Sequence, residues 1–301
     1  MITRFSHFFG NYKSFPLWSL SSAIFSKIGG IPWQIEANYA KNGTPIDAII
    51  GFRFARQRDN KKNQFVLGIA TVFSGNGKYL GFKTKSIPID NIGENYKFIL
   101  KSHGFTRMYE GLKIPSEDIK DLFSDAEKLI DKTGYHQKNP GAVVVHRLGS
   151  VSSEEADAFL ECFNTSNYSA GALISISEHP LKWKFNGKAV NRGMWINLNE
   201  KSGLLFPQGF ASYYQGTYSK PFNPKSIPKA FKITIMRDNG VYSKPHDAGH
   251  DIMALSRMNW RHTTFIPSNY PITLQYALII AQYSKNNIIP MGDLNETPWF
   301  L

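Results

Sequence analysis

Apolar and polar residues divide this chain into short periodic blocks. Ile119, Leu122, Phe123, Ala126, Leu129 and Ile130 recur at helical spacing. They predict a helix with one apolar face, capped by Ser116 and stopped by Gly134. The full capping box is missing there, because Ile119 stands three residues after the cap. A second amphipathic block covers about 153–163. Glu154 and Glu155 open it and favour the positive end of a helix, while Ala156, Phe159 and Leu160 are set to face a sheet. Leu17 to Ile28 places Leu20, Ala23, Ile24 and Ile28 on one side and reads as a further helix. Residues 246–258 and 272–284 supply the last two.

Apolar runs with strand character lie between these blocks. Strands are expected at 47–54, 65–73 and 79–87, the last two joined as a hairpin by Gly75–Asn76–Gly77. Ala142 to Arg147 and Gly171 to Ser177 read as buried strands, and Ala230 to Ile235 as another. Gly187, Gly193, Gly203, Gly209 and Gly216 punctuate short strands across 182–235. Residues 88–115 have no period and read as a long irregular excursion. Three strands, then helix, strand, helix and strand, imply an α/β fold with a mixed sheet covered by helices. The pattern does not fix the strand order. No repeat or flexible linker interrupts the chain, so a single domain is the simplest parse.

Composition narrows the chemistry. The formal charge of +12, from 35 Lys and Arg against 23 Asp and Glu, points to a polyanionic partner. A generally basic soluble protein accounts for the charge equally well. The basic residues are dispersed among aromatics, which favours a folded groove over a disordered arm. Arg56 to Asn63 is a polar connector, open to reading as a solvated loop or as a set of phosphate contacts. The lone Cys162 excludes an intramolecular disulfide and a four-cysteine zinc site. Its apolar neighbourhood assigns it to the core, and a reducing, cytoplasmic setting is the default. No stretch is long enough for a transmembrane helix, and the first residues lack a clean apolar run with a small-residue cleavage site, so a secretion signal is not expected.

Lys27, Gly29, Gly30, Pro32 and Trp33, followed by Ile49–Ile50–Gly51, resemble the entry into the PIWI domain of Argonaute proteins. Val144 to Gly149 resembles that family's strand ending in R-D-G, and Gln215–Gly216–Thr217 with Lys220–Pro221 its G-T-x-x-P segment. Leu255 to Trp260 is similar to L-x-x-x-N-W, Pro271 to Ala277 to P-V-T-x-x-Y-A, and Pro298 to Leu301 to the aromatic, apolar carboxyl end. The resemblance runs from about Leu17 to Leu301, and the order and spacing of the motifs carry it. It implies an RNase H-like PIWI domain over 27–301, with a mixed central sheet flanked by helices. Residues 1–26 would be the junction with a preceding MID domain.

The resemblance also implies roles for residues. Catalytic members hold two divalent metals with four acidic groups, because hard cations need oxygen ligands. The matching positions here are Arg53, Leu148 and Leu278, with Glu94 the nearest candidate for the mobile glutamate, so the expected protein is nuclease-inactive. Asp47, Asp90 and Asp251 do not suggest a second metal pair. Lys27, Thr217, Tyr218, Lys220, Arg257 and Asn259 are candidates for contacting a guide nucleic acid, RNA or DNA, and its complementary target. The carboxylate of Leu301 would help hold Mg²⁺ at the guide 5′ end. A MID-containing protein and an effector protein are the expected partners, as in short prokaryotic Argonautes acting in defence against invading nucleic acid. A contrasting expectation is a structural subunit that scaffolds partner proteins without touching nucleic acid.

Overall fold

Strand β1 (Ile46–Arg58) is apolar on both sides: Ala48, Ile50, Phe52 and Phe54 face one way and Ile49 the other, all buried. Such a strand belongs inside a sheet covered on both faces. The computed structural model describes residues 14–28, 30–32, 34–36, 39–58, 64–88, 114–132, 141–179, 190–209, 229–259, 270–284 and 298. Among them β1 pairs antiparallel with β2 (Gln64–Ser74), and β2 with β3 (Tyr79–Pro88). On its other side β1 runs parallel to β4 (Ala142–Leu148), and β4 to β5 (Ala170–Glu178). Strands β6 (Met194–Asn199), β7 (Ser202–Phe206) and β8 (Phe231–Asp238) extend the sheet antiparallel from β5, giving the order β3-β2-β1-β4-β5-β8-β7-β6.

Five helices are described: α1 (Ser14–Lys27), α2 (Ser116–Lys132), α3 (Ser153–Thr165), α4 (Pro245–Leu255) and α5 (Ile272–Ser284). Helices α2 and α3 cover one face of the sheet. Every apolar position the sequence assigns to α2 is buried there, against Ile50, Phe52, Val66 and Val72. Pro115 accepts the first helical backbone bonds, from Asp118 and Ile119, so Pro115 takes the cap position expected for Ser116, and Ser116 is the first helical residue. Helices α4 and α5 cover the opposite face, over Ile49, Ile69, Phe73, Val144 and Ile174. Cys162 is buried in α3, and burial pushes its thiol up to about 12.

Two features tie β1 to its neighbours. The β1–β4 register is irregular between Ile46 and Ala48, and Asp47 at that point accepts a hydrogen bond from Gly141 N at 2.7 Å. Any side chain at Gly141 would meet that carboxyl group at 2.4 Å. The β2–β3 turn closes through Ser74 N to Lys78 O at 2.9 Å, with Gly77 at a φ of 83°. The helix expected from Leu17 to Ile28 forms as α1, and its apolar stripe is largely exposed among the described residues. Ala23 is buried, but Leu20, Ile24, Phe25 and Ile28 are exposed, Ile28 at 76%. Of the stripe, Ala23 alone joins the core on the α4–α5 side.

Candidate nucleic-acid interface

The parallel pair β1 and β4 builds the centre of the site. Phe52 lies opposite Arg147, the last pair of the two strands, and Arg53 and Leu148 are the next residue of each. Both belong to the face covered by α4 and α5: Arg53 alternates with Gly51 and Ala55, and Leu148 packs against that core. Each is half-buried. Beyond this point β1 pairs with β2 alone. Glu178 ends the adjacent strand β5. It accepts from Lys229 Nζ and from Tyr270 Oη, each at 2.8 Å.

The first turn of α5 is pinned beside this pair. Thr71 Oγ1 donates to Thr273 O at 2.5 Å, and Thr273 Oγ1 hydrogen-bonds with His146 Nδ1 at 3.0 Å. A Cβ built on Gly51 would lie 2.5 Å from Thr273 O, so only glycine lets the helix approach β1 this closely. His146 is buried, which pushes its imidazole down to about 3 and keeps it neutral. Leu278 lies farther along α5, half-buried, on the flank that also carries Gln275 and the exposed Gln282. Arg53 and Leu148 thus each follow the last paired residue of adjacent strands, while Leu278 is carried by the helix over the same face.

On the opposite face Arg147 makes a second, fully buried arrangement. Its Nη2 donates to Glu155 Oε1 at 3.2 Å, its Nη1 donates to Leu148 O, and its guanidinium lies 4.8 Å from the centre of the Phe54 ring. Glu155 also accepts from Ser152 N, while Ser152 Oγ accepts from Glu155 N, each at 3.1 Å. This reciprocal box starts α3 and directs its carboxylate beneath β4. Sequence reasoning placed Glu155 at a helix N-terminus and missed its partner. The S-x-x-E spacing of Ser152 and Glu155 is the signal that reveals the cap. Gly149, at a φ of 87°, turns the chain out of β4, and Ser175 Oγ holds its carbonyl at 2.6 Å.

The remaining sequence candidates are scattered. Lys27 is exposed at the end of α1, and Arg257 is exposed in the turn after α4. Asn259 is buried at 5% exposure, two residues beyond Arg257. Asp251 is turned inward, where Tyr242 Oη donates to it at 2.9 Å. Burial, the leading cause, raises the Asp251 carboxyl to about 6. Thr217, Tyr218, Lys220, Glu94, Asp90 and Leu301 lie outside the described residues. Among the described residues no three His, Cys, Asp or Glu side chains converge as a metal-holding group. No described helix is long and apolar enough to cross a membrane.

No family model and no curated protein matches the sequence. Solved structures do match. An Argonaute of Aquifex aeolicus superposes with a TM-score of 0.63 at 19% identity, over 97% of this chain and 36% of that one. Clostridium butyricum Argonaute bound to a guide DNA and a 19-mer target DNA gives 0.63 at 20% identity, over 99% and 34%. The fold is Argonaute-like. Marinitoga piezophila Argonaute in complex with a 5′ OH guide RNA is more distant, at 0.51 and 13% identity over 84% and 31%. The mixed eight-stranded sheet between two helical layers matches a PIWI-like fold. The chain spans about a third of their length.

Proposed function

We propose that this chain is a nuclease-inactive PIWI subunit that binds a guide nucleic acid and its complementary target. The observation that carries the reading is that Arg53 and Leu148 directly follow the last paired residues of β1 and β4 in an Argonaute-like fold. A guanidinium and an alkyl group offer no oxygen ligand to a divalent cation. These residues do not fit a cleavage metal. Arg53 instead supplies a positive charge on the face where a strand would pass. The net charge of +12 and the exposed Lys27 and Arg257 supply further attraction for phosphates. The Clostridium butyricum structure contains a guide DNA and a target DNA. A MID-bearing chain and an effector would complete the assembly, in prokaryotic defence. The Mg²⁺ expected at the guide 5′ end depends on Leu301, which lies outside the described residues, and stands as part of this proposal.

The test is salt-dependent binding of a guide–target duplex, measured with wild type and Arg257→Ala. Phosphate contact by Arg257 predicts weaker binding for every sequence and a slope of log affinity against log salt shallower by about 1. A duplex affinity that does not change with salt, or no binding at low salt, would instead favour a scaffold that holds partner proteins.

A further inference from the structure

A cleft of about 260 Å³ lies between β6 and α4, on the α4–α5 side of the sheet. Trp195 forms one wall and the turns of α4 the other. Trp195 reaches across its neighbours because they are glycines: side chains at Gly203 or Gly249 would meet its ring at 2.1 and 2.4 Å. Its indole Nε1 donates to Asn197 Oδ1 at 2.6 Å, and His246 stands edge-on to it at 5.8 Å between ring centres. The lining residues His246, His250, Met253 and Arg257 follow one another at helical spacing along one side of α4 and its final turn. The two imidazoles are 59% and 77% exposed.

Arg257 puts a positive charge in the lining of the cleft. No carboxylate lines it among the described residues. The two acids beside the histidines serve α4 itself: Asp247 Oδ2 accepts from Lys244 N at 3.2 Å, and Asp251 accepts from Tyr242 Oη. Their other oxygens lie 3.9 and 3.8 Å from the histidine Nδ1 atoms. The cleft thus combines aromatic rings, nitrogen groups able to hydrogen-bond, and a guanidinium at one end. It is smaller than the ~300–1,000 Å³ typical of small-molecule sites, which suits one planar ring.

We propose that this cleft is a subsite for a single unpaired base of a nucleic-acid strand, with the neighbouring phosphate held by Arg257. The proposal rests on the nucleic-acid-binding reading above and adds a base-contacting site to it. Aromatic rings accept any base by stacking and are sequence-tolerant, while the cation fixes the backbone beside them.

The test compares an oligothymidine with an abasic chain of equal length and equal phosphate count, by fluorescence anisotropy with the purified chain. Wild type is expected to prefer the base-bearing strand by about tenfold, the size of one stacked base. Trp195→Leu and His246→Ala should remove most of that preference and leave abasic binding unchanged, whereas Arg257→Ala should weaken both strands. His246 is exposed, so its variant keeps the test sound if Trp195→Leu fails to fold. Equal wild-type affinity for both strands, or a preference that both cleft variants leave intact, overturns the subsite while the nucleic-acid reading stands. Absence of binding to either strand at low salt overturns both.

Discussion

The guanidinium of Arg147 and the carboxylate of Glu155 meet 3.2 Å apart with 2% and 1% of their side chains exposed. One comes from the middle strand of the parallel trio and the other from the first turn of α3, so the pair joins sheet to helix beneath the candidate site. Removing one partner leaves the other charge buried and unpaired. Glu155→Ala should therefore destabilise the protein by roughly 3–5 kcal/mol. Arg147→Met combined with Glu155→Leu should recover a large part of that loss. Urea unfolding of the single and double variants measures it. A Glu155→Ala loss below about 1 kcal/mol would show that the pair contributes little.

The approach of α5 to β1 gives a second expectation. At Gly51 an added methyl group meets the Thr273 carbonyl, which is backbone and cannot swing away. Gly51→Ala should push α5 off the sheet and cost roughly 1–3 kcal/mol. A melting temperature equal to wild type would mean that the helix yields freely.

Stability against pH follows from three groups, two carboxyls and one imidazole, that act with opposite sign. Burial first, and Asp131 second, raise the Glu127 carboxyl to about 7. The folded state then holds a proton that the unfolded chain releases near ~4.3. Its stabilising contribution is complete below that range and is lost as pH rises through about 7. Asp251 acts in the same direction up to about 6. His146 acts oppositely: neutral when folded down to about 3, it takes a proton in the unfolded chain near ~6.5, so it lowers stability as pH falls between these values. Glu127→Gln should raise stability over wild type at pH 8, and the gain should close towards pH 4.5. Denaturant titrations at both values give the answer; an equal gap at each would contradict the burial argument.

Much of this architecture is legible before any coordinates. Ile119 to Ile130 states its helical period plainly, and all six apolar residues are buried. The strand blocks lie where alternation and apolar runs place them, although β1 continues to Arg58. Adjacency is harder to read. Phe52 and Arg147 are far apart in sequence, and only the parallel register makes them neighbours and sets Arg53 and Leu148 just beyond them. Arg147 and Glu155 likewise meet because a strand end and a helix start converge in space. Helix α1 shows the limit of periodicity: Leu20, Ile24 and Ile28 share a side, but a stripe does not state what covers it. Asn259 shows another, since its polarity suggests a surface and its position after α4 is inside.

The central claim is that this chain binds nucleic acid and does not cut it. The direct measurement incubates the protein, with its associated chains and a guide, with a labelled matched target in Mg²⁺ or Mn²⁺. Retention of the target and its length are then read from the same sample. The expected result is a retained target of full length, with retention falling as salt rises. Guide-directed cutting that is lost on replacing a residue of the Arg53–Leu148 face would contradict the claim of inactivity. Failure to retain the target at low salt would contradict the claim of binding.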